Sequence, residues 1–176
     1  MRAVVSSIEA EYRRYKGLGE RAIAQLDRAG LVARPPGEGN SVAVIVWHLA
    51  GNLRSRFTDF LTADGEKPWR DRDGEFAEGP FTRSDAQALW DNGWTALNDA
   101  LAPLTDEDLE RTVVLRGLPS TVHAAVTRSL SHIANHCGQI IILARILTSD
   151  WQWITIPKGK SREYNANPTL ERPASR

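Results

Sequence analysis

The sequence predicts an all-α protein, a four-helix bundle with a long crossover between its second and third helices. Four long segments repeat apolar residues at helical spacing, and few residues are typical of strands. An irregular stretch, residues 63–80, separates the second segment from the third and is long enough to connect two parallel helices. A chain of 176 residues suits one domain. We place that domain at residues 1–165 and a disordered C-terminal tail at residues 166–176.

The first two helices are predicted by their apolar spacing and by the residues at their ends. Residues 4–29 place apolar side chains at roughly helical intervals, and Gly30 is a typical residue to follow a helix end. Asn40 or Ser41 can cap the second helix, which we expect to run to about Thr62. The first half of this helix is almost continuously apolar, so we expect it to be buried on most sides.

The third helix follows the irregular stretch. Thr82 or Ser84 can accept a hydrogen bond from its first turn and so define its beginning. Its amphipathic pattern continues to about Leu101, and Pro103 ends it. One further helical turn is predicted within residues 104–110.

The fourth helix is the most apolar of the four. A β-branched stretch at residues 113–115 precedes it and predicts a short extended segment. Ser120 or Thr121 can cap the helix, which ends near Leu147. An aromatic and basic segment, residues 151–161, follows.

Composition and charge exclude several classes of protein. Lys plus Arg and Asp plus Glu each total 22, and the resulting zero net charge argues against a protein that binds nucleic acid by neutralising phosphates. No apolar segment is long enough to span a bilayer. The single cysteine, Cys137, fits a reducing compartment. We therefore expect a cytoplasmic protein that binds neither nucleic acid nor membrane.

Three of the four histidines have the spacing of a metal site. His132 and His136 lie four residues apart in the fourth helix, so both imidazoles leave the same face. His48 lies in the apolar half of the second helix. If the two helices pack side by side, three imidazole nitrogens converge and leave coordination positions open for a catalytic metal. His123 lies about half a revolution from His132 and should not join them.

Other polar residues near these histidines are candidates for a supporting role. Metal-bound imidazoles usually donate their second N–H to an oxygen acceptor, and Asn52, Asn135 and Gln139 are close enough in sequence to accept it. Helix capping and ordinary surface positions remain alternatives for all three. Cys137 points about 100° away from His136, which favours a core residue over a ligand or nucleophile.

These residues also carry a resemblance to a known family. A histidine in a buried second helix, at residues 47–49, followed by His-x-x-x-His-x-Gly-Gln at residues 132–139, resembles the DinB/YfiT-like metalloprotein superfamily. Residues 52–61 and 156–161 are similar to an uncharacterised bacterial branch of that superfamily. The resemblance extends over nearly the whole chain, from about residue 8 to residue 165.

The resemblance implies a fold, a metal site and a class of chemistry. It implies a four-helix bundle, often a homodimer, with a divalent metal on His48, His132 and His136. Characterised relatives include transferases and isomerases that use low-molecular-weight thiols. The metal expected is zinc or nickel foremost, followed by iron, because imidazole ligation suits all of them.

Two functions remain open at this point. In the first, the three-histidine metal activates a water molecule or a thiol for hydrolysis or S-transfer on a small-molecule substrate. No glutamate follows His132 in the His-Glu-x-x-His pattern of zinc proteases, which favours a thiol. In the second, the protein is a non-catalytic, dimeric helical bundle that binds a metal or a small molecule.

Overall fold

The structure, a computed structural model, describes residues 1–37, 39–77 and 81–168. Within these ranges the chain is mostly helical, with four long helices and one short hairpin. The α-helices are α1 (Ala3–Ile23), α2 (Arg28–Val32), α3 (Val42–Phe57), α4 (Arg83–Leu101), α5 (Val122–Leu147) and α6 (Ser161–Ala166). The strands are β1 (Thr112–Leu115) and β2 (Leu118–Thr121), and single 3₁₀ turns occupy Gly74–Phe76 and Glu107–Glu110.

Three of the long helices begin at hydroxyl residues that the sequence predicts as caps. Ser41 caps α3, Thr82 caps α4 and Thr121 caps α5. In each helix the side-chain oxygen accepts a hydrogen bond from the backbone N–H three residues later, at 3.1–3.3 Å. At α4 the Asp85 carboxylate also accepts from the Thr82 backbone N–H at 2.8 Å, which completes a capping box. These starts are fixed by local interactions.

Two predicted helix ends are wrong, each because of a local backbone feature. The first helix stops at Ile23, short of its predicted end, and a new helix begins where Asp27 Oδ1 accepts from the backbone N–H of Gly30 at 2.7 Å. The second predicted helix, α3, stops at Phe57 because the backbone of Thr58 is extended, with ψ of 126°, and Asp59 after it has φ of +51°.

A β-hairpin contains the predicted extended segment. β1 pairs with β2 in antiparallel register, and Arg116 and Gly117 form its two-residue turn with φ of +54° and +73°. The extended segment is therefore confirmed, although β2 was not predicted because it includes Pro119. Residues 169–176 of the predicted tail lie outside the described residues.

The long helices pack so that α3 contacts both α4 and α5. The main helix contacts join α3 to α4 and α1 to α5, while α3 also packs against α5. Trp94, Leu49 and Ile133 are fully buried in the core that these helices share. At Gly93 a Cβ atom would lie 2.9 Å from the Ala50 Cα, so glycine permits the close approach of α4 to α3. Because α3 also packs against α5, the buried faces of these two helices meet, as a shared histidine site requires.

None of the helices within the described ranges is both long and apolar enough to cross a membrane.

Candidate metal centre

Three imidazole rings meet where α3 packs against α5. His132 Nε2 lies 3.3 Å from His48 Nε2 and 3.1 Å from His136 Nε2. One potential ligand atom from each of the three residues lies within 4.8 Å of the other two. His48 is only 5% exposed, and the other two histidines are partly buried. Neutral imidazoles brought this close in a sheltered position could hold one metal ion.

The Nδ1 atom of His48 faces a carboxylate from the segment between α3 and α4. Glu75 Oε2 lies 3.0 Å from His48 Nδ1, and Glu75 belongs to the single turn Gly74–Phe76. The neighbouring Phe76 ring lies 5.0 Å from the imidazole, centroid to centroid. A carboxylate that accepts from Nδ1–H fixes the tautomer in which Nε2 keeps its lone pair for a metal.

Glu75 is held in turn by a buried arginine. Arg70 Nε and Nη2 donate to the two oxygens of Glu75 at 2.7 and 2.8 Å, and Arg70 Nη1 donates to Ser55 Oγ at 3.1 Å. The Arg70 and Glu75 side chains are 2% and 3% exposed. Burial favours a higher pKa for the Glu75 carboxyl, but the hydrogen bonds from Arg70 and His48 outweigh it and hold that pKa below its usual value. Glu75 is therefore a charged, fully bonded acceptor for His48.

A glycine on α3 makes room for this carboxylate. Gly51 lies three residues after His48, so both face the same side of the helix. A Cβ atom at Gly51 would lie 1.9 Å from Glu75 Oε1 and 2.7 Å from its Cδ atom. The carboxylate thus contacts the helix backbone directly, which only glycine permits.

The sequence-predicted supporting residues have different surroundings. Gln139 Oε1 lies 2.8 Å from His136 Nδ1, and Gln139 Nε2 donates to Asn135 Oδ1 at 3.3 Å. The backbone carbonyl of Asn52 accepts from the Ser55 hydroxyl at 3.1 Å, and the position beside His48 Nδ1 is held by Glu75.

Two further candidates lie outside the cluster. Cys137 is fully buried in the core, its Sγ is 3.5 Å from the Tyr15 carbonyl oxygen, and burial raises the pKa of its thiol to about 12. It therefore has the properties of an inert core residue. His123 is exposed near the start of α5 and is not part of the three-histidine group.

Burial keeps the histidines of α5 in the form that binds metal. It lowers the pKa of His132 from its usual 6.5 to about 4, and the charges that His136 and His48 would carry lower it further. Burial also lowers the pKa of His136, against an opposing effect of the Gln139 hydrogen bond. Both rings are neutral at pH 7, so a metal need not displace protons from them.

Acidification should destabilise the metal-free protein. His132 has a lower pKa folded than unfolded, so the stability it contributes by remaining neutral is present above pH 6.5 and is lost as the pH falls towards about 4. We expect urea unfolding of the metal-free protein to show this loss, with a shallower pH dependence in a His132→Asn variant. Equal pH dependence in the two proteins would contradict the burial of this imidazole.

The sequence analysis missed Arg70, Glu75 and Ser55. Arg70 and Glu75 lie in a connection without a repeating apolar pattern, so their spacing could not show whether they face the core or the solvent. Two signals were present: the connection combines an arginine and a glutamate five residues apart, and a glycine follows His48 on the same helical face. A cavity of about 720 Å³ lies between the end of α3 and α4 and is lined by none of the three histidines. We place the site at the histidines because they provide the chemistry that this open groove lacks.

Comparison with known proteins adds a family but no activity. The profile of a family described as a protein of unknown function, DUF1572, matches residues 1–160. No match was found to a curated protein or to a solved structure. The matched range includes the three histidines together with Arg70 and Glu75. The chain therefore belongs to the DUF1572 family.

Proposed function

We propose that this protein is a divalent-metal-dependent enzyme whose metal is held by His48, His132 and His136. The observation that carries the proposal is the convergence of three imidazoles without a fourth ligand. Within the described ranges, the group of potential metal ligands contains these three histidines and no further histidine, cysteine or carboxylate. The neighbouring carboxylate of Glu75 is bound to Arg70 and to His48 Nδ1 instead. Structural zinc sites usually have four protein ligands, whereas catalytic sites keep a position open.

A divalent metal at this position supplies an electrophilic centre that activates a water molecule or a low-molecular-weight thiol. The protein's own groups orient the ligands: Glu75 holds His48, and Gln139 holds His136. Among the described residues, the carboxylate that contacts the histidines is Glu75, and it is already bound to Arg70 and His48. Since it is not free to act as a base, S-transfer is favoured over hydrolysis on a small-molecule substrate. Zinc or nickel is the metal we expect first, followed by iron.

We also propose a four-helix bundle of the DinB/YfiT-like superfamily, with residues 1–165 as its single domain and residues 166–176 as a tail. Contacts between α1 and α5, α5 and α3, α3 and α4, and α4 and α1 support a ring of four helices. The long connection between α3 and α4 provides the expected crossover.

We further propose that the protein is a homodimer, that it functions in the cytoplasm and that it binds no nucleic acid. Ile142 and Ile146 of α5 are 52% and 71% exposed and lie one turn apart, as expected for a face covered by a second copy. The zero net charge is consistent with a protein that does not bind nucleic acid.

Elemental analysis of untagged protein tests the metal site. We expect about one metal per chain in the wild type, loss of that metal in His132→Ala, and full retention in His123→Ala, because His123 is exposed and outside the cluster. Absence of bound metal in the wild type after reconstitution with zinc, nickel or iron would refute the proposal.

Catalysis needs a separate measurement. We expect metal-loaded wild-type and His123→Ala proteins to accelerate the reaction of a small thiol with 1-chloro-2,4-dinitrobenzene, and His132→Ala to lose this activity. A protein that binds metal but leaves the rates unchanged for both this reaction and ester hydrolysis would support a non-catalytic binding protein.

A further inference from the structure

Several arginines lie beside the histidine site. Arg128 is on α5, four residues before His132, and so lies on the same helical face about one turn away, about 6 Å along the axis. Arg56 is on α3, two turns after His48, with a side chain that is 17% exposed. Arg116, in the turn of the β-hairpin, reaches the same region by sharing the Glu66 carboxylate with Arg56.

The carboxylates of this region do not balance these cations. Glu66 Oε2 lies 2.8 Å from Arg116 Nε and 3.6 Å from Arg56 Nη1, so one carboxylate serves two arginines. Asp64 accepts from the backbone N–H groups of residues 66, 116 and 117. Arg128 is exposed, and no carboxylate of the described residues pairs with it within 4.0 Å. The region therefore carries excess positive charge.

These charges act on each other and on the histidine site. Burial lowers the pKa of Arg56, Glu66 opposes that change, and the positive charges of Arg116, Arg70 and Arg128 lower it further. Arg70 and Arg56 also contribute to the lowered pKa of His132. Cations held together with too few carboxylates are destabilising, and they attract an anion to the region that they share.

We propose that Arg128 and Arg56 bind a carboxylate of the small-molecule substrate while its reacting atom lies at the three histidines. The inference rests on the proposed metal site and specifies the substrate class. Guanidinium groups bind carboxylates through paired hydrogen bonds, which fixes orientation as well as charge. The distance between Arg128 and His132 along α5 determines how far the substrate's carboxylate lies from its reacting atom. This separation is about one to two helical turns. The preferred substrate is thus a thiol or an electrophile with a carboxylate several bonds from its reacting atom.

Two thiols of equal length provide the test, 6-mercaptohexanoate and 6-mercapto-1-hexanol. Each is titrated into the full-length protein loaded with Co²⁺, and binding is followed by the thiolate-to-cobalt charge-transfer absorbance. We expect Arg128→Ala to reduce the preference for the carboxylate thiol about fivefold, the size typical of a partly exposed ion pair. The affinity for the alcohol should not change. High salt, about 0.5 M, should reduce the preference in the wild type more than in the variant.

Arg13→Ala is the matched control, because Arg13 is an exposed arginine on α1, 59% accessible, outside the cluster. Arg56→Lys, which keeps the charge but loses the planar fork, should reduce the preference partially. An equal preference in wild type, Arg128→Ala and Arg13→Ala, with Co²⁺ still bound, would refute the carboxylate site and leave the metal site standing. Failure of Co²⁺ to bind the wild type would refute both.

Discussion

Replacing Arg70 with methionine should destabilise the metal-free protein by about 3–5 kcal/mol, the cost of leaving a buried charge without its partner. Arg70 donates to both oxygens of Glu75, and the two side chains are 2% and 3% exposed. Without the guanidinium, burial would become the dominant effect on Glu75 and would raise the pKa of its carboxyl. An acid with a raised folded pKa loses stability as the pH rises, so the deficit should be smaller at about pH 4.5 than at pH 7.

Urea unfolding of three variants measures this effect. Arg13→Met removes an exposed arginine and should change the free energy of unfolding by less than about 0.5 kcal/mol. The double variant Arg70→Met with Glu75→Gln should be more stable than Arg70→Met alone, because it no longer buries an unpaired carboxylate. Similar losses in Arg70→Met and Arg13→Met would show that the ion pair does not hold the segment between α3 and α4.

Local chemistry explains what the sequence could predict. The caps Ser41, Thr82 and Thr121 each act on a backbone N–H three residues away, so their effect is visible within one helical turn. The spacing of His132 and His136 fixes their common face for the same reason. His48 lies beside them because the apolar faces of α3 and α5 pack together. The apolar content and helical spacing of the two segments predicted both faces.

Long-range contacts explain what the sequence could not predict. Glu75 lies 27 residues after His48 and reaches it through a segment with one helical turn and no repeating pattern. Asn52 was the local candidate for that role, and its neighbour Gly51 is the residue that admits Glu75. A glycine one turn after a buried histidine indicates that another group approaches the helix there, but it does not identify that group. The break after α1 was missed because Asp27 begins a new helix at a point where the apolar spacing continues.

Gly51→Ala should affect both stability and metal binding. The new Cβ atom would lie 1.9 Å from Glu75 Oε1, and the opposing atoms belong to a side chain held by Arg70 and His48. Moving Glu75 away should cost about 1–3 kcal/mol, as overpacking usually does. His48 would then lose its acceptor, and loss of such a partner lowers metal affinity about 10–100-fold. Urea unfolding and competition with a coloured chelator measure the two effects.

Gly138→Ala is the matched control, since it makes the same change on α5 two residues after His136. A Cβ atom at Gly138 would meet nothing within 4 Å. Alanine in a helix interior should therefore stabilise the protein by about 0.5–1 kcal/mol and leave metal affinity unchanged. Opposite signs at the two glycines would show that the Glu75 carboxylate depends on contact with the α3 backbone. If both variants gained stability and kept full metal affinity, Glu75 would have another way to reach His48, and the segment between α3 and α4 would not support the metal site.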